Sequence, residues 1–210
     1  MKKTIVLVAL FILPLVAYLF FASGVNNFGK LPVLTKEIPD IISIDGATTF
    51  ENKITILGFL GADIDNIKGN AFNLNQKIYK RFHEFNDFQL VMFVPLGNEA
   101  KITELKGELG KLSPITNWNF VFASTSKIEE VFASLKTDLS LNKDFGVSEV
   151  FIIDKNRNLR GRDDDEDVGV KYGFNTTSVA ELNNKMEDDV KIILAEYRLA
   201  LKKNDANRSK

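Results

Sequence analysis

The sequence predicts an α/β domain with a central, mostly parallel sheet, preceded by an apolar N-terminal segment. Apolar runs of strand length alternate with segments whose apolar residues recur at helical spacing, a pattern typical of strands joined by helical crossovers. Two further strands then come before a long final helix. The N-terminal segment carries charge only at its start.

The composition of the chain excludes several classes of function. Its 210 residues include 27 Lys and Arg against 28 Asp and Glu, so the chain has no excess of positive charge with which to bind nucleic acid. The chain contains no cysteine, which excludes disulfides, thiolate nucleophiles and iron–sulfur ligands. The single histidine, His83, is too few for ordinary zinc or copper sites. Thiol catalysis and transition-metal binding are therefore not expected.

Residues 1–27 are predicted to be a membrane anchor. Lys2 and Lys3 precede an uncharged apolar stretch that is long enough to span a bilayer core of about 30 Å. Lysines before the stretch favour a cytoplasmic N-terminus and an extracytoplasmic domain, on the periplasmic side of an inner membrane. A cleaved signal peptide and a secreted domain are the alternative, because Ala22 and Gly24 are small residues suited to a cleavage site.

The rest of the chain divides into a linker over residues 28–44, a domain over 45–202 and a polar tail over 203–210. A short β-ribbon is expected near residues 44–50. The last helix has the clearest start, since Ser178 and Glu181 form the S-x-x-E pattern of a capping box. The predicted strands cover residues 54–61, 88–95, 118–123, 149–154 and 158–162. The first predicted helix follows an N-cap at Asp65 or Asn66 and has its apolar stripe over residues 71–85, and the later helices cover residues 102–112, 126–135 and 178–201.

Two strings carry a resemblance to a known family. The string NWNFVFASTSKIEEVF, residues 117–132, is similar to a Trp-x-Phe strand followed by a polar turn and a helix in the Sco/SenC branch of the thioredoxin-like superfamily. The string VFIIDKNRNLRGR, residues 150–162, is similar to the closing hairpin of that branch. The resemblance covers residues 45–200. It implies a thioredoxin-like sandwich with a closing β-hairpin and a C-terminal helix.

The ligands of that family are missing from the matching positions. The family places Cys-x-x-x-Cys after the first core strand and a His before the hairpin, and these three side chains hold copper. The matching positions carry Asp63, Ile67 and Gly146. The resemblance therefore implies a vacated site, at which copper binding, other cofactors, thiol exchange and catalysis are not expected.

Two groups of carboxylates suggest a different function, in which their oxygen atoms bind a metal ion. Asp63 and Asp65 lie where a strand leads into a helix, where they serve either as helix caps or as a vestigial oxygen-ligand site; Asp65 or Asn66 is the expected N-cap. The five consecutive acids of residues 163–167 are typical of a solvated loop, with a weak cation site or a docking patch for a basic partner as alternatives. His83 is expected at the flank of the first helix.

The sequence thus predicts a non-enzymatic envelope protein, a pseudoenzyme that acts by binding other proteins. By resemblance, it is a scaffold or partner in the maturation of a respiratory oxidase or of other copper or thiol proteins. The alternative is a divalent-metal-binding protein or enzyme that uses Asp63, Asp65 or the run Asp163-Asp164-Asp165-Glu166-Asp167.

Overall fold

A computed structural model of the chain describes residues 3, 10–16, 18 and 29–208, with side chains as far as residue 199. Most of the predicted anchor lies outside these residues, although residues 10–16 are helical. None of the helices in the described residues is long and apolar enough to cross a membrane.

A mixed sheet forms the centre of the domain. The strands are β1 (Val33–Thr35), β2 (Ile54–Phe59), β3 (Phe88–Pro95), β4 (Trp118–Ala123), β5 (Glu149–Ile153), β6 (Leu159–Arg160), β7 (Arg162–Asp165), β8 (Gly169–Lys171) and β9 (Phe174–Asn175).

The order of strands across the central sheet is β1-β6-β5-β2-β3-β4. Strands β2, β3 and β4 are parallel, as predicted. The hairpin of β5 and β6 joins β2 in the antiparallel direction, and β1 pairs antiparallel with β6, so the sheet as a whole is mixed rather than mostly parallel.

Helices cover both faces of this sheet. Two of the helices, α2 and α5, contain a π-helical turn, so each is given in segments. The helices are α1 (Ile42–Asp45), α2 (Ile64–Leu74, then the π-turn Asn75–Tyr79, then Lys80–Phe82), α3 (Glu99–Gly110), α4 (Thr125–Ser134) and α5 (Val179–Glu181, then the π-turn Leu182–Met186, then Glu187–Arg208).

Strand β2 shows why the central strands are continuous apolar runs. Ile54 and Ile56 belong to the core under α2, α3 and α5, whereas Leu57 and Phe59 belong to the core under α4. Successive side chains of a strand point to opposite faces, so a strand covered on both sides needs apolar residues at nearly every position. The result is a three-layer sandwich with one apolar core on each side of the sheet.

The segment predicted to be a linker is part of the folded domain. Residues 33–35 form an edge strand, and Ile38 and Ile41 are fully buried. The predicted ribbon near residues 44–50 is also wrong. Asp40 accepts a hydrogen bond from the main-chain N–H of Phe50 at 2.8 Å and so folds this segment into a turn around α1.

The start of α2 differs from the prediction, and the start of α5 confirms only half of it. Helix α2 begins at Ile64, so the N-cap position belongs to Asp63, whose side chain makes no capping hydrogen bond. In α5, the Ser178 hydroxyl accepts a hydrogen bond from the N–H of Glu181 at 3.2 Å, as in a capping box. The Glu181 carboxylate instead accepts from the N–H of Asn175 at 2.9 Å, so the reciprocal half of the box is missing.

Candidate functional site

The region that the resemblance singles out lies at the carboxyl ends of the parallel strands, where sites of open α/β sheets are commonly found. Strand β2 ends at Phe59, and the chain turns through Gly61 before Ile64 opens α2. Gly61 has a φ of 72°, in the left-handed region that favours glycine. This turn places Asp63 at the surface immediately before the helix.

A loop pressed against the end of β2 brings Gly146 to the same place. Gly146 forms a single antiparallel bridge with Leu60, and the N–H of Ala62 donates to the carbonyl of Asp144 at 2.8 Å. A Cβ atom on Gly61 would lie 2.7 Å from the carbonyl oxygen of Asp144, and one on Gly146 would lie 2.9 Å from the carbonyl oxygen of Leu60. Both contacts are with main-chain atoms that cannot rotate away. This backbone therefore requires glycine at both positions.

The loop is held in place by its own sequence. The Asn142 side-chain oxygen accepts hydrogen bonds from the N–H groups of Asp144, at 2.9 Å, and Gly146, at 3.0 Å. The N–H of Asn142 donates in turn to the carbonyl of Gly146 at 2.8 Å. Phe145 takes a φ of 63°, which completes the tight turn. The loop thus contacts β2 as a hydrogen-bonded unit.

The three candidate positions share one end of the sheet but face different surroundings. Asp63 is exposed, whereas Ile67 is partly buried against the core and lines a small cavity beneath the site. The cavity has a volume of about 20 Å³ and is bordered by Gly58, Met92 and Trp118 among others. Pockets that bind small molecules usually measure about 300–1,000 Å³, so this cavity is too small for such a ligand.

Asp65 is engaged by a lysine. Its carboxylate forms an ion pair with the Lys101 ammonium at 2.8 Å, which joins the first turns of α2 and α3. The hydrogen bond and the charge of Lys101 lower the pKa of Asp65.

The same edge of the sheet exposes an apolar side chain. Leu96 directly follows β3, and 62% of it is exposed to solvent.

The acidic run is not simply a solvated loop. Its first part belongs to strand β7, which pairs with β8 in a separate two-stranded ribbon. The Lys185 ammonium donates to Asp165 at 2.7 Å and to Asp167 at 2.6 Å, which fastens the ribbon to α5. Burial, the largest single influence, would raise the pKa of Asp165. The hydrogen bonds from Lys185 and from the main-chain N–H of Asp167, together with the charges of Lys185 and Lys171, outweigh burial and lower that pKa. Within the described parts of the chain, no group of three or more His, Asp or Glu side chains is arranged to hold a metal ion.

Sequence reasoning missed a buried ion network beside the hairpin. Arg160 is 4% exposed and donates to Asp154 at 2.9 Å and to Glu196 on α5 at 2.7 Å. The same guanidinium donates to the carbonyl of Leu31 at 2.8 Å, so it also fixes the segment that leads into β1. One sign of this network is visible in the sequence, because Arg160 follows Asp154 by six residues at the closing hairpin.

His83 is partly buried, and its ring lies edge-on to the ring of Tyr79, as expected for a residue at the flank of the first helix.

No family model matches the sequence, and no curated protein matches it either. Solved structures do resemble the fold. One is the solution structure of a protein described as a protein disulfide isomerase from Bacteroides thetaiotaomicron, with 12% identity, a TM-score of 0.50 and coverage of 80% of this chain and 95% of that one. The solution structure of the soluble domain of Sco1 from Bacillus subtilis has 16% identity, a TM-score of 0.45 and coverage of 77% and 94%. A thiol:disulfide interchange protein of the thioredoxin family from Chlorobium tepidum has 16% identity, a TM-score of 0.46 and coverage of 79% and 99%.

The first of these likenesses supports the predicted fold. The chain has a thioredoxin-like α/β fold around a mixed sheet. Identities this low bear on the fold alone, and the TM-scores of the other two structures lie below 0.5. Assignment to the Sco/SenC branch therefore stays a prediction from the two sequence strings.

Proposed function

We propose that this chain is a non-enzymatic, cysteine-less protein of Sco-like type that acts by binding other proteins at the carboxyl edge of its parallel strands. The contact between Gly61 and Gly146 carries the proposal. In the resembled family, ligands converge between the first core strand and the loop before the hairpin. Here main-chain atoms fill that space, while Asp63 faces solvent and Ile67 faces the core. A closed edge of this kind suits surface contact with a protein rather than chemistry in a pocket.

The proposed setting is the cell envelope. Residues 1–27 anchor the chain in the inner membrane, with the domain on the periplasmic side; cleavage of this segment and secretion of the domain are the alternative. The partners are proteins of respiratory-oxidase assembly, or other proteins that carry copper or reactive thiols. This neighbourhood follows from the resemblance and from the charge pattern of the N-terminal segment.

The carboxylate alternative has less geometric support. Lys101 engages Asp65, and Lys185 engages both Asp165 and Asp167, so three of the acids named for that role are already paired with ammonium groups. Asp63 is exposed at the surface. Titration of the purified chain with Ca²⁺, Mg²⁺ and Mn²⁺ by calorimetry tests this alternative directly. Stoichiometric binding of any of them below about 10 μM would favour the metal-binding function.

The protein-binding function is tested by affinity capture of the full chain from detergent-solubilised membranes. We compare the native chain with Leu96→Glu, which places a charge on the exposed leucine of the carboxyl edge. Leu112→Glu is the matched control, because Leu112 is also an exposed leucine but follows α3 at the other end of the sheet. We expect a copper or thiol protein to be captured by the native chain and by the control, and at least about tenfold less by Leu96→Glu.

Two results would contradict the proposal. Equal recovery with Leu96→Glu and with the native chain would mean that the carboxyl edge is not the docking surface. If none of the captured proteins carries copper or reactive thiols, the proposed class of partners is wrong.

A further inference from the structure

Strand β4 forms one edge of the sheet, since it pairs with β3 on one side only. The N–H of Leu90 donates to the carbonyl of Asn117, and the N–H of Leu96 donates to the carbonyl of Ala123. In a parallel pair the residues that bond to the neighbouring strand alternate with residues that point away from it. The main-chain N–H and C=O groups of Phe120 and Phe122 therefore point outward, and they bond to no other group in the described part of the chain.

Strand β4 itself lacks four features by which proteins often prevent strand pairing, which are charged side chains, prolines, bulges and a short length. A charged group on a neighbouring helix, the Lys106 ammonium of α3, lies 5.0 Å from the centroid of the Phe120 ring. Residues 112–126 contain no charged side chain, although 26% of the whole chain is charged. Strand β4 is six residues long and contains no proline, and its register with β3 is unbroken. The rings of Phe120 and Phe122 are only partly buried.

The opposite edge of the sheet provides the contrast. Strand β1 has three residues, and its register with β6 is irregular. Pro32 and Lys36 flank this strand directly. One edge is thus protected against pairing by four separate features, while the β4 edge has none of them.

We propose that β4 is a dimerisation edge, at which it pairs antiparallel with β4 of a second copy of this chain. A two-fold axis at Val121 places Phe120 of each copy opposite Phe122 of the other. All four outward N–H groups then find carbonyl partners, and two cross-strand aromatic pairs form on one face, a favoured arrangement in antiparallel sheets. The strand is complementary to itself, as an isologous interface requires. Helix α1 packs beside β4, and its residue Ile42 is 48% exposed, so this side of the domain offers further apolar surface.

This surface is separate from the carboxyl edge of the proposed function, and the two can fail independently. Capture of a partner by the carboxyl edge does not require the dimer, and the dimer requires no partner.

The first test uses the absence of native cysteine. In the proposed register, residue 121 faces its own copy in a non-hydrogen-bonded pair, with Cα atoms about 4.5 Å apart, within the range that a disulfide can bridge. We expect the full-chain variant Val121→Cys to form a disulfide-linked dimer under mild oxidation. The control is Val33→Cys on strand β1, where the side chain is far more exposed. Random collision would link the control at least as fast, so cross-linking at 121 that does not exceed that at 33 overturns the proposal.

The second test needs no cysteine. Sedimentation equilibrium of the native full chain in mild detergent is expected to show a dimer, and Phe122→Lys is expected to weaken it about tenfold or more, by adding charge at the pairing edge and removing both aromatic pairs. Phe85→Lys, which charges an exposed phenylalanine in the turn after α2, is expected to leave the dimer unchanged. All three chains keep the same N-terminal segment, so that segment does not account for a difference between them. A native chain that remains monomeric, or equal effects of the two lysines, overturns the proposal even if Val121→Cys fails to fold.

Discussion

At the scale of single residues, Gly61 and Gly146 decide what the candidate site can hold. The constraint at Gly146 is the nearby carbonyl of Leu60, whereas the positive φ belongs to Gly61. Sequence periodicity cannot reveal such a contact, because the two glycines are 85 positions apart and meet only when the loop folds back on β2.

We expect Gly61→Ala to destabilise the domain by about 1–3 kcal/mol or more, because alanine must adopt a left-handed φ and its Cβ would collide with main-chain atoms. Gly107→Ala is the matched control. Gly107 lies in the exposed middle of α3, and a Cβ there meets no atom within 4 Å, so alanine is expected to stabilise by about 0.5–1 kcal/mol. Urea unfolding followed by circular dichroism measures both changes. Similar stability changes in the two variants would show that the loop contact is not tight.

At the scale of elements, burial on both faces made most of the sheet predictable. Strands β2 and β3 are buried along their whole length, and their uninterrupted apolar runs are visible in the sequence. The turn around α1 was missed because side-chain carboxylates organise it. Asp40 and Asp45 accept hydrogen bonds from main-chain N–H groups there, and the spacing of apolar residues in the sequence does not reveal such bonds. The edge strand β1 was missed because three residues are too few to show a period.

Helix α5 is predicted to contribute strongly to the stability of the domain. Its residues Leu182, Met186, Val190 and Ile193 are fully buried against the sheet. We expect Ile193→Ala to cost about 2–5 kcal/mol, the usual range for truncating a buried aliphatic side chain. Leu199→Ala, on the more exposed part of the same helix, is expected to change stability by less than about 0.5 kcal/mol. Chemical denaturation of both variants checks this, and a small effect at 193 would mean that α5 is an appendage to the domain.

At the scale of the whole molecule, the fold and the lost chemistry were predictable to different degrees. The alternation of strands and helices predicted the α/β class, and the resemblance implied the thioredoxin-like fold, which the structure confirms. The positions of Asp63 and Ile67 came only from the resemblance, and their common location with Gly146 at one end of the sheet agrees with that placement without testing it. The buried network around Arg160 depends on α5 lying across the hairpin, which no local pattern specifies.

The lack of cysteine and the placement of the methionines predict how the chain behaves towards copper. Thiolate and thioether sulfur select Cu(I), and the chain has no cysteine and three methionines. Met92 and Met186 are buried, at 1% and 0% exposure, and Met1 lies outside the described residues. His83 has no second histidine to complete a Cu(II) site. We therefore expect the purified full chain to bind neither Cu(I) nor Cu(II) with submicromolar affinity.

Competition with a coloured Cu(I) chelator, and calorimetry for Cu(II), measure the two affinities. The double variant Asp63→Cys, Ile67→Cys serves as the positive control, because it places two thiols four residues apart, one at the N-cap of α2 and one in its first turn, at the positions that the resemblance assigns to the family's cysteines. We expect the variant to take Cu(I) from the chelator, or to form an internal disulfide under mild oxidation, while the native chain does neither. Gly146→His is not added, because a side chain there would collide with the carbonyl of Leu60. Tight stoichiometric copper binding by the native chain would contradict the vacated site, and unreactive thiols in a folded double variant would show that the site is misplaced.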